Sequence, residues 1–146
     1  MQRNNFKFFS LDEANELLPV LELHMARLLK DYFELKNQLR FICDKTGGNV
    51  EILLGRIKSD PSVEEQVKKI NQTQSYFNEL GVIFKSLELG IIDFPSILSG
   101  EVIFLCWQFG ENLITHYHGI NENFNNRRPI VPPSTRYNTW QAAIFH

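Results

Sequence analysis

The sequence predicts an α+β protein: a long antiparallel helical hairpin packed on a small antiparallel sheet of two β-hairpins, about four strands in all. Three observations predict it. Apolar residues recur at alternating spacings of four and three from Ala14 to Ile42, and less strictly from Val63 to Leu80, which is helical seam periodicity. At Gly81 the rhythm changes to short β-rich runs. Turn-forming stretches, Glu88-Leu89-Gly90 and Phe109-Gly110-Glu111-Asn112, punctuate those runs.

Ser10-Leu11-Asp12-Glu13 opens the first helix as a capping box, with acidic residues at the positive end of the helix dipole. The seam then runs through Ala14, Leu18, Leu21, Met25, Leu28, Tyr32, Leu35, Leu39 and Ile42. Leu17, Leu29 and Phe33 widen it, so this helix is expected to cover a sheet as well as a partner helix. Thr46-Gly47-Gly48-Asn49 ends it, and Val50, Leu53, Leu54 and Ile57 suggest a short second helix. Asp60-Pro61 starts the return helix, which Gly81 closes.

The first hairpin is expected from Val82–Leu87 and Ile91–Phe94, stopped by Pro95, with a single helical turn from Pro95 to Gly100. Val102–Gln108 and Leu113–His118 form the second, with Trp107 opposite Ile114, Leu105 opposite His116 and Ile103 opposite His118. His116 and His118 share a face whatever the register, and Tyr117 takes the other. The chain thus reads as one domain over 1–146: an N-terminal segment 1–9, the helical hairpin 10–81, the β-hairpins 82–118, and a loop with an apolar C-terminal tail 119–146. Pro132-Pro133 directs an extended tail, and Trp140, Ile144 and Phe145 are expected to dock on this domain or on a second copy.

At 146 residues and 43% apolar, the chain can build a core without a metal or disulfide staple. A formal charge of −2 argues against a general nucleic-acid surface. No apolar run reaches the ~20 residues of a membrane span, and MQRNNFKFF lacks the apolar centre of a signal peptide. Cytoplasmic placement is expected. Cys43 and Cys106 form no CxxC pattern and read as reduced thiols, with a disulfide between them left open.

FSLDEANELLP, the GVIFK and GIIDFP pair, and the LCWQFGE…ITHYH…F…R block together resemble a bacterial family of uncharacterised proteins, the domain-of-unknown-function family twenty-two-oh-three. The resemblance covers the chain to about Ile130. It implies an α+β fold and a cytoplasmic protein, and it implies no reaction, cofactor or partner. Asp93, Cys106, Trp107, Gly110, Glu111, His118 and Arg127 fall on the family's block, whereas His116 does not. Ser86 and Asn123 depart from it, standing where the family commonly has aspartate and glycine.

The candidate ligand-binding residues are Asp93, Trp107, Glu111, His118 and Arg127. His116 and His118, alternate on one strand, are a candidate zinc pair, with Asp93, Glu111 or Cys106 as a third ligand. Otherwise no cofactor is expected. The bland readings are a hydrogen-bonded His118, an exposed His116, an inert core Cys106, packing roles for Trp107 and Tyr117, and a Glu111 that pairs with Arg127 or Arg128 to fix a loop. Two functional readings follow. The first is a non-enzymatic interaction or regulatory protein that self-associates through its helices as a homodimer, or binds another protein. The second is a metal- or small-ligand-binding protein, catalytic or not, with its site on the second hairpin. RNA binding through Arg127, Arg128 and the aromatics is a third.

Overall fold

The computed structural model describes residues 7–130. The expected tail beyond Pro132-Pro133, with Trp140, Ile144 and Phe145, lies outside them. The elements run α1 (Leu11–Lys45), α2 (Val50–Ser59), α3 (Pro61–Glu79), β1 (Ile83–Ser86), β2 (Ile91–Leu98), β3 (Glu101–Gln108), β4 (His116–Gly119) and β5 (Arg128–Pro129), with one 3-10 turn at Phe124–Asn126. The strands form one antiparallel sheet in the order β1-β2-β3-β4-β5. The α+β class holds, with five strands rather than four.

The capping box forms: Ser10 Oγ accepts from the Glu13 amide at 3.1 Å, and Glu13 Oε1 reaches back to the Ser10 amide at 3.4 Å. Asn49 and Asp60 cap α2 and α3 in the same way, through the amides of Ile52 and Ser62. α1 and α3 are antiparallel. Gln38 donates to Ser62, Gln66 donates to Glu34, and the rings of His24 and Tyr76 stack with centroids 4.5 Å apart. Each pair steps along one helix as it steps back along the other.

The seam residues Ala14, Leu18, Leu21, Met25 and Leu28 are buried against one face of the sheet, with Ile92, Phe94, Ile103, Leu105 and Trp107. A 35-residue helix is about 52 Å long at 1.5 Å per residue, roughly twice the ~27 Å of an eight-residue strand. The sheet therefore runs out before the helix does. Lys36 still reaches Glu88 in the β1–β2 turn at 3.0 Å; beyond it the described helices pack on one another, and α2 has no buried residue at all.

The sheet departs from the expected layout in three places, the first two with a local cause. β2 does not stop at Pro95 but runs to Leu98, pairing residue for residue with β3. β1 covers β2 only to Asp93, so Pro95 sits where that edge has no β1 neighbour and its missing N–H is not needed. Its carbonyl instead accepts from the Phe9 amide at 2.7 Å, and Ser96 Oγ donates to Phe9 O at 2.6 Å. The expected helical turn is a two-residue hairpin at Ser99-Gly100, both at positive φ (51° and 80°), as tight hairpins require.

The second difference is the register of β4, which is one residue away from expectation. His116 opposes Cys106, Tyr117 opposes Leu105, and His118 opposes Phe104. The connection is longer than a tight turn because Glu111 folds back, its amide donating to Gln108 O and its Oε1 accepting from the Gln108 amide. The Ile114 amide then donates to Asn15 Oδ1 on α1. The slip moves both histidines from the core face to the outer face. The third difference is β5, which adds a strand beyond β4 through His116–Pro129 and Tyr117–Arg128.

Gly90 closes the β1–β2 turn at φ 65°. A Cβ there would stand 2.8 Å from Phe109 Cβ and 3.4 Å from Leu29 Cδ1. Gly90→Ala is expected to lose about 1–2 kcal/mol from the left-handed backbone alone, and more from the contact. A melting temperature unchanged by the substitution would count against this packing.

Candidate functional site

Alternation along the strands sorts the side chains. Ile92, Phe94, Leu105 and Trp107 face the helices. Asp93, Cys106 and His118 face the other way, with Phe104. That outer face would be solvated in a plain two-layer fold. Here the segment after β4 folds over it. The Glu122 amide donates to Gly119 O, Glu122 Oε1 accepts from the Gly119 amide and pairs with Arg128, and Asn123 caps the 3-10 turn through the Asn125 amide. The result is an outer face with buried polar groups: Asp93 is 0% exposed, Cys106 0% and His118 1%.

His118 Nε2 and Asp93 Oδ2 are 2.8 Å apart. His118 Nδ1 lies 2.9 Å from Gly119 O, so the assignment consistent with a carbonyl partner puts a proton on Nδ1. Asp93 Oδ1 is buried without a hydrogen-bond partner. Such an orphaned group costs about 1–3 kcal/mol, more when charged. Lys85 Nζ, on a half-exposed side chain, stands 3.9 Å from Asp93 Oδ2 and over the Phe104 ring. Burial raises the Asp93 carboxyl above the usual carboxylate range, although His118, Cys106 and Lys85 all act in the other direction. Burial likewise pushes the Cys106 thiol up to about 12, Asp93 adding to the shift and Arg127 opposing it. As it stands, Cys106 is a protonated thiol at neutral pH and not a nucleophile.

The Asp93, Cys106 and His118 ligating atoms all lie within 4.8 Å of one another. Of the residues expected from the sequence, Asp93 and His118 are therefore together. His116 shares their face but is not part of this group; its Nδ1 meets Thr115 Oγ1 at 2.8 Å. The candidate zinc pair is split, because His118 reaches across Phe104 to Asp93 while His116 opposes Cys106 nearer the sheet end. Trp107 is on the core face, fully buried, its Nε1 donating to Glu111 O at 2.9 Å. Glu111 takes Arg127 rather than Arg128, at 3.1 and 3.3 Å. Arg127 also lies over the Phe124 ring and touches the Cys106 thiol. Cys43 and Cys106 are both free thiols, one exposed and one buried, so no disulfide joins them.

Above this floor is a cavity of about 350 Å³ bounded by Lys85, Asp93, His118, Glu122, Asn123 and Phe124. A larger, more open groove of about 610 Å³ runs along α3 past Val67 and Tyr76, but none of its residues is buried and no chemistry converges there. Of the cavity residues, Lys85 and Glu122 carry no candidate role in the sequence, and Asn123 and Phe124 enter it only through the family block, Asn123 as a departure from it. The available signal was the pairing of the GVIFK and IIDFP runs, which sets Ile83 opposite Asp93 and so brings Lys85 to the same face.

These features define a small α+β protein with a covered Asp–His–Cys group on the face of its sheet away from the helices. Residues 7–130 match the family described as Uncharacterized conserved protein (DUF2203), and the chain belongs to that family. No curated protein and no solved structure matches it.

Proposed function

We propose that the protein binds a small polar molecule in the cavity over the outer face of its sheet. The reading is carried by Asp93: a fully buried carboxyl, paired with an equally buried His118, on the floor of a cavity of about 350 Å³. Buried polar pairs seldom stabilise a fold more than apolar residues of the same size, so stability is a weak reason for keeping one there. The cavity volume is in the range of small-ligand sites. Lys85 offers a positive charge at the rim, Asn123 a hydrogen-bonding edge, and Leu89, Ile91 and Phe124 an apolar wall. Those groups suit a molecule with a carboxylate toward Lys85 and an apolar body.

The test is thermal melting against a panel of small carboxylates and amino acids, with Asn123→Trp as the cavity-filling control. At least one compound should raise the melting temperature of the parent protein and leave the variant unmoved. No shift in either protein, or equal shifts in both, would overturn the reading.

A second reading has its own observation. α2 has no buried residue, and Val50, Ile52 and Leu54 on it, with Phe41 at the end of α1, are exposed. We infer that this end of the helical hairpin meets a second copy of the chain, giving a homodimer. Light scattering at micromolar concentration should give twice the chain mass, and an Ile52→Glu, Leu54→Glu double variant should give the monomer. A parent protein that stays monomeric sinks this reading. No helix among the described residues is long and apolar enough to cross a membrane, and the two unpaired thiols are in keeping with the proposed cytoplasmic setting.

A further inference from the structure

We propose that Asp93, Cys106 and His118 bind a zinc ion, with the fourth coordination position facing the cavity. The proposal goes beyond the small-molecule reading and does not need it, since three side chains suffice to hold the metal.

Four observations carry it. The three ligating atoms lie within 4.8 Å of one another and all three residues are buried. The imidazole is already oriented, with Nδ1 against the Gly119 carbonyl and Nε2 turned toward Asp93; metal-bound histidines are held in just this way by their second nitrogen. Asp93 Oδ1 is buried and makes no geometric hydrogen bond; besides His118 and Lys85 the carboxyl meets only the weak thiol donor of Cys106, and a cation would bind carboxylate and thiolate together. Finally, two of the three ligands, Asp93 and His118, are on the lining of the cavity, so the fourth position faces it, although both are closed to water before the metal binds.

The donor set selects the metal. Thiolate, imidazole and carboxylate together suit zinc, whereas magnesium and calcium take oxygen ligands. Three protein ligands with one open position is the pattern of reactive rather than purely structural zinc sites. Tetrahedral zinc with bonds of about 2.0–2.3 Å separates its ligand atoms by roughly 3.3–3.8 Å. The 2.8 Å contact between Nε2 and Oδ2 therefore has to open by about half an ångström, and the metal replaces that hydrogen bond. On binding, the Cys106 thiol gives its proton to solvent. Carboxylate and thiolate then carry two negative charges against the two positive charges of the ion, which leaves a buried site neutral. Lys85 and Arg127 remain outside the coordination group, and Glu111 balances Arg127.

The experiment uses the full-length chain, stripped with EDTA and titrated with Co²⁺ as a spectroscopic probe. One equivalent should produce a thiolate-to-cobalt charge-transfer band with the visible bands of tetrahedral cobalt, and Zn²⁺ should displace them. Zn²⁺ should also raise the melting temperature. Cys106→Ser should abolish the charge-transfer band, and Asp93→Asn and His118→Gln should each weaken binding by about tenfold or more. Cys43→Ser and His116→Gln should leave the spectrum unchanged. Circular dichroism of the metal-free variants checks that they fold, and Asp93→Asn, the change of least volume, carries the test if Cys106→Ser does not fold. Absence of the band in the parent protein, or a band that survives Cys106→Ser and vanishes in Cys43→Ser, overturns the proposal. The carboxylate panel repeated in EDTA reads the small-molecule site separately.

Discussion

His118→Ala is expected to lower the unfolding free energy by about 2–5 kcal/mol, the sum of a buried carboxyl left without its hydrogen-bond partner and the void left by a buried ring. The reason is what remains. Asp93 stays fully buried, loses the contact at 2.8 Å, and keeps only the weak thiol donor of Cys106 and Lys85 at 3.9 Å on a half-exposed side chain. The imidazole also packs against Phe104, with ring centroids 5.5 Å apart, so its removal leaves a void as well as an unpaired carboxyl. Urea denaturation of the metal-free protein measures the effect. A loss below about 1 kcal/mol would mean that water reaches Asp93 freely, contrary to its burial.

Asp93→Asn separates the charge from the shape, and pH gives the sign. Burial raises the folded-state pKa of Asp93 above its unfolded value. The folded protein therefore holds this proton more tightly than the unfolded chain does. The stabilising contribution is complete below the unfolded value, about 3.9, and is lost as pH rises through the folded value. The stability of the parent protein relative to Asp93→Asn should thus be highest in acid and fall toward neutrality, both measured in EDTA. A difference that is flat with pH, or that grows with pH, would show that the charged partners outweigh burial at this carboxyl.

Much of the fold is legible in the residues because its signals are local. Ser10 and Glu13 cap α1 through groups three residues apart, Asp60-Pro61 starts α3 by the same kind of contact, and the seam from Ala14 to Leu28 needs only a helical period. The sheet is where local signals stop. Pro95 looks like a strand end until the edge beside it is known to lack a β1 neighbour and to accept Phe9 instead. The β3–β4 register depends on how Glu111 folds back onto Gln108, which no periodicity encodes, and a slip of one residue moves His116 and His118 across the sheet. β5 is two residues long and rests on pairing with β4 alone. For the site, parity within β4 correctly separates Tyr117 from the histidines. The meeting of Asp93 with His118 depends on β2 and β4 flanking β3. Cys106 becomes interesting only through that meeting, because as a lone mid-strand thiol it has the character of core.

Trp107→Ala is expected to cost about 3–5 kcal/mol, the range for truncating a large buried aromatic, and it tests which face of β3 holds the indole. Trp107 is 0% exposed and meets Phe109 edge-on, with centroids 6.2 Å apart. Its Nε1 donates to Glu111 O, and the Glu111 carboxylate holds Arg127 beside the Cys106 thiol. The indole therefore supports the site from behind the sheet without lining the cavity. Trp107→Phe keeps most of the ring and drops the hydrogen bond, so it should lose only about 1–3 kcal/mol, the penalty for a buried acceptor left without its donor. Urea denaturation of both variants gives the comparison. If Trp107→Phe were as damaging as Trp107→Ala, the hydrogen bond to the turn would dominate. If neither variant lost stability, Trp107 would belong on the outer face among the ligand-binding residues, and the strand alternation that places Asp93, Cys106 and His118 together would fall with it.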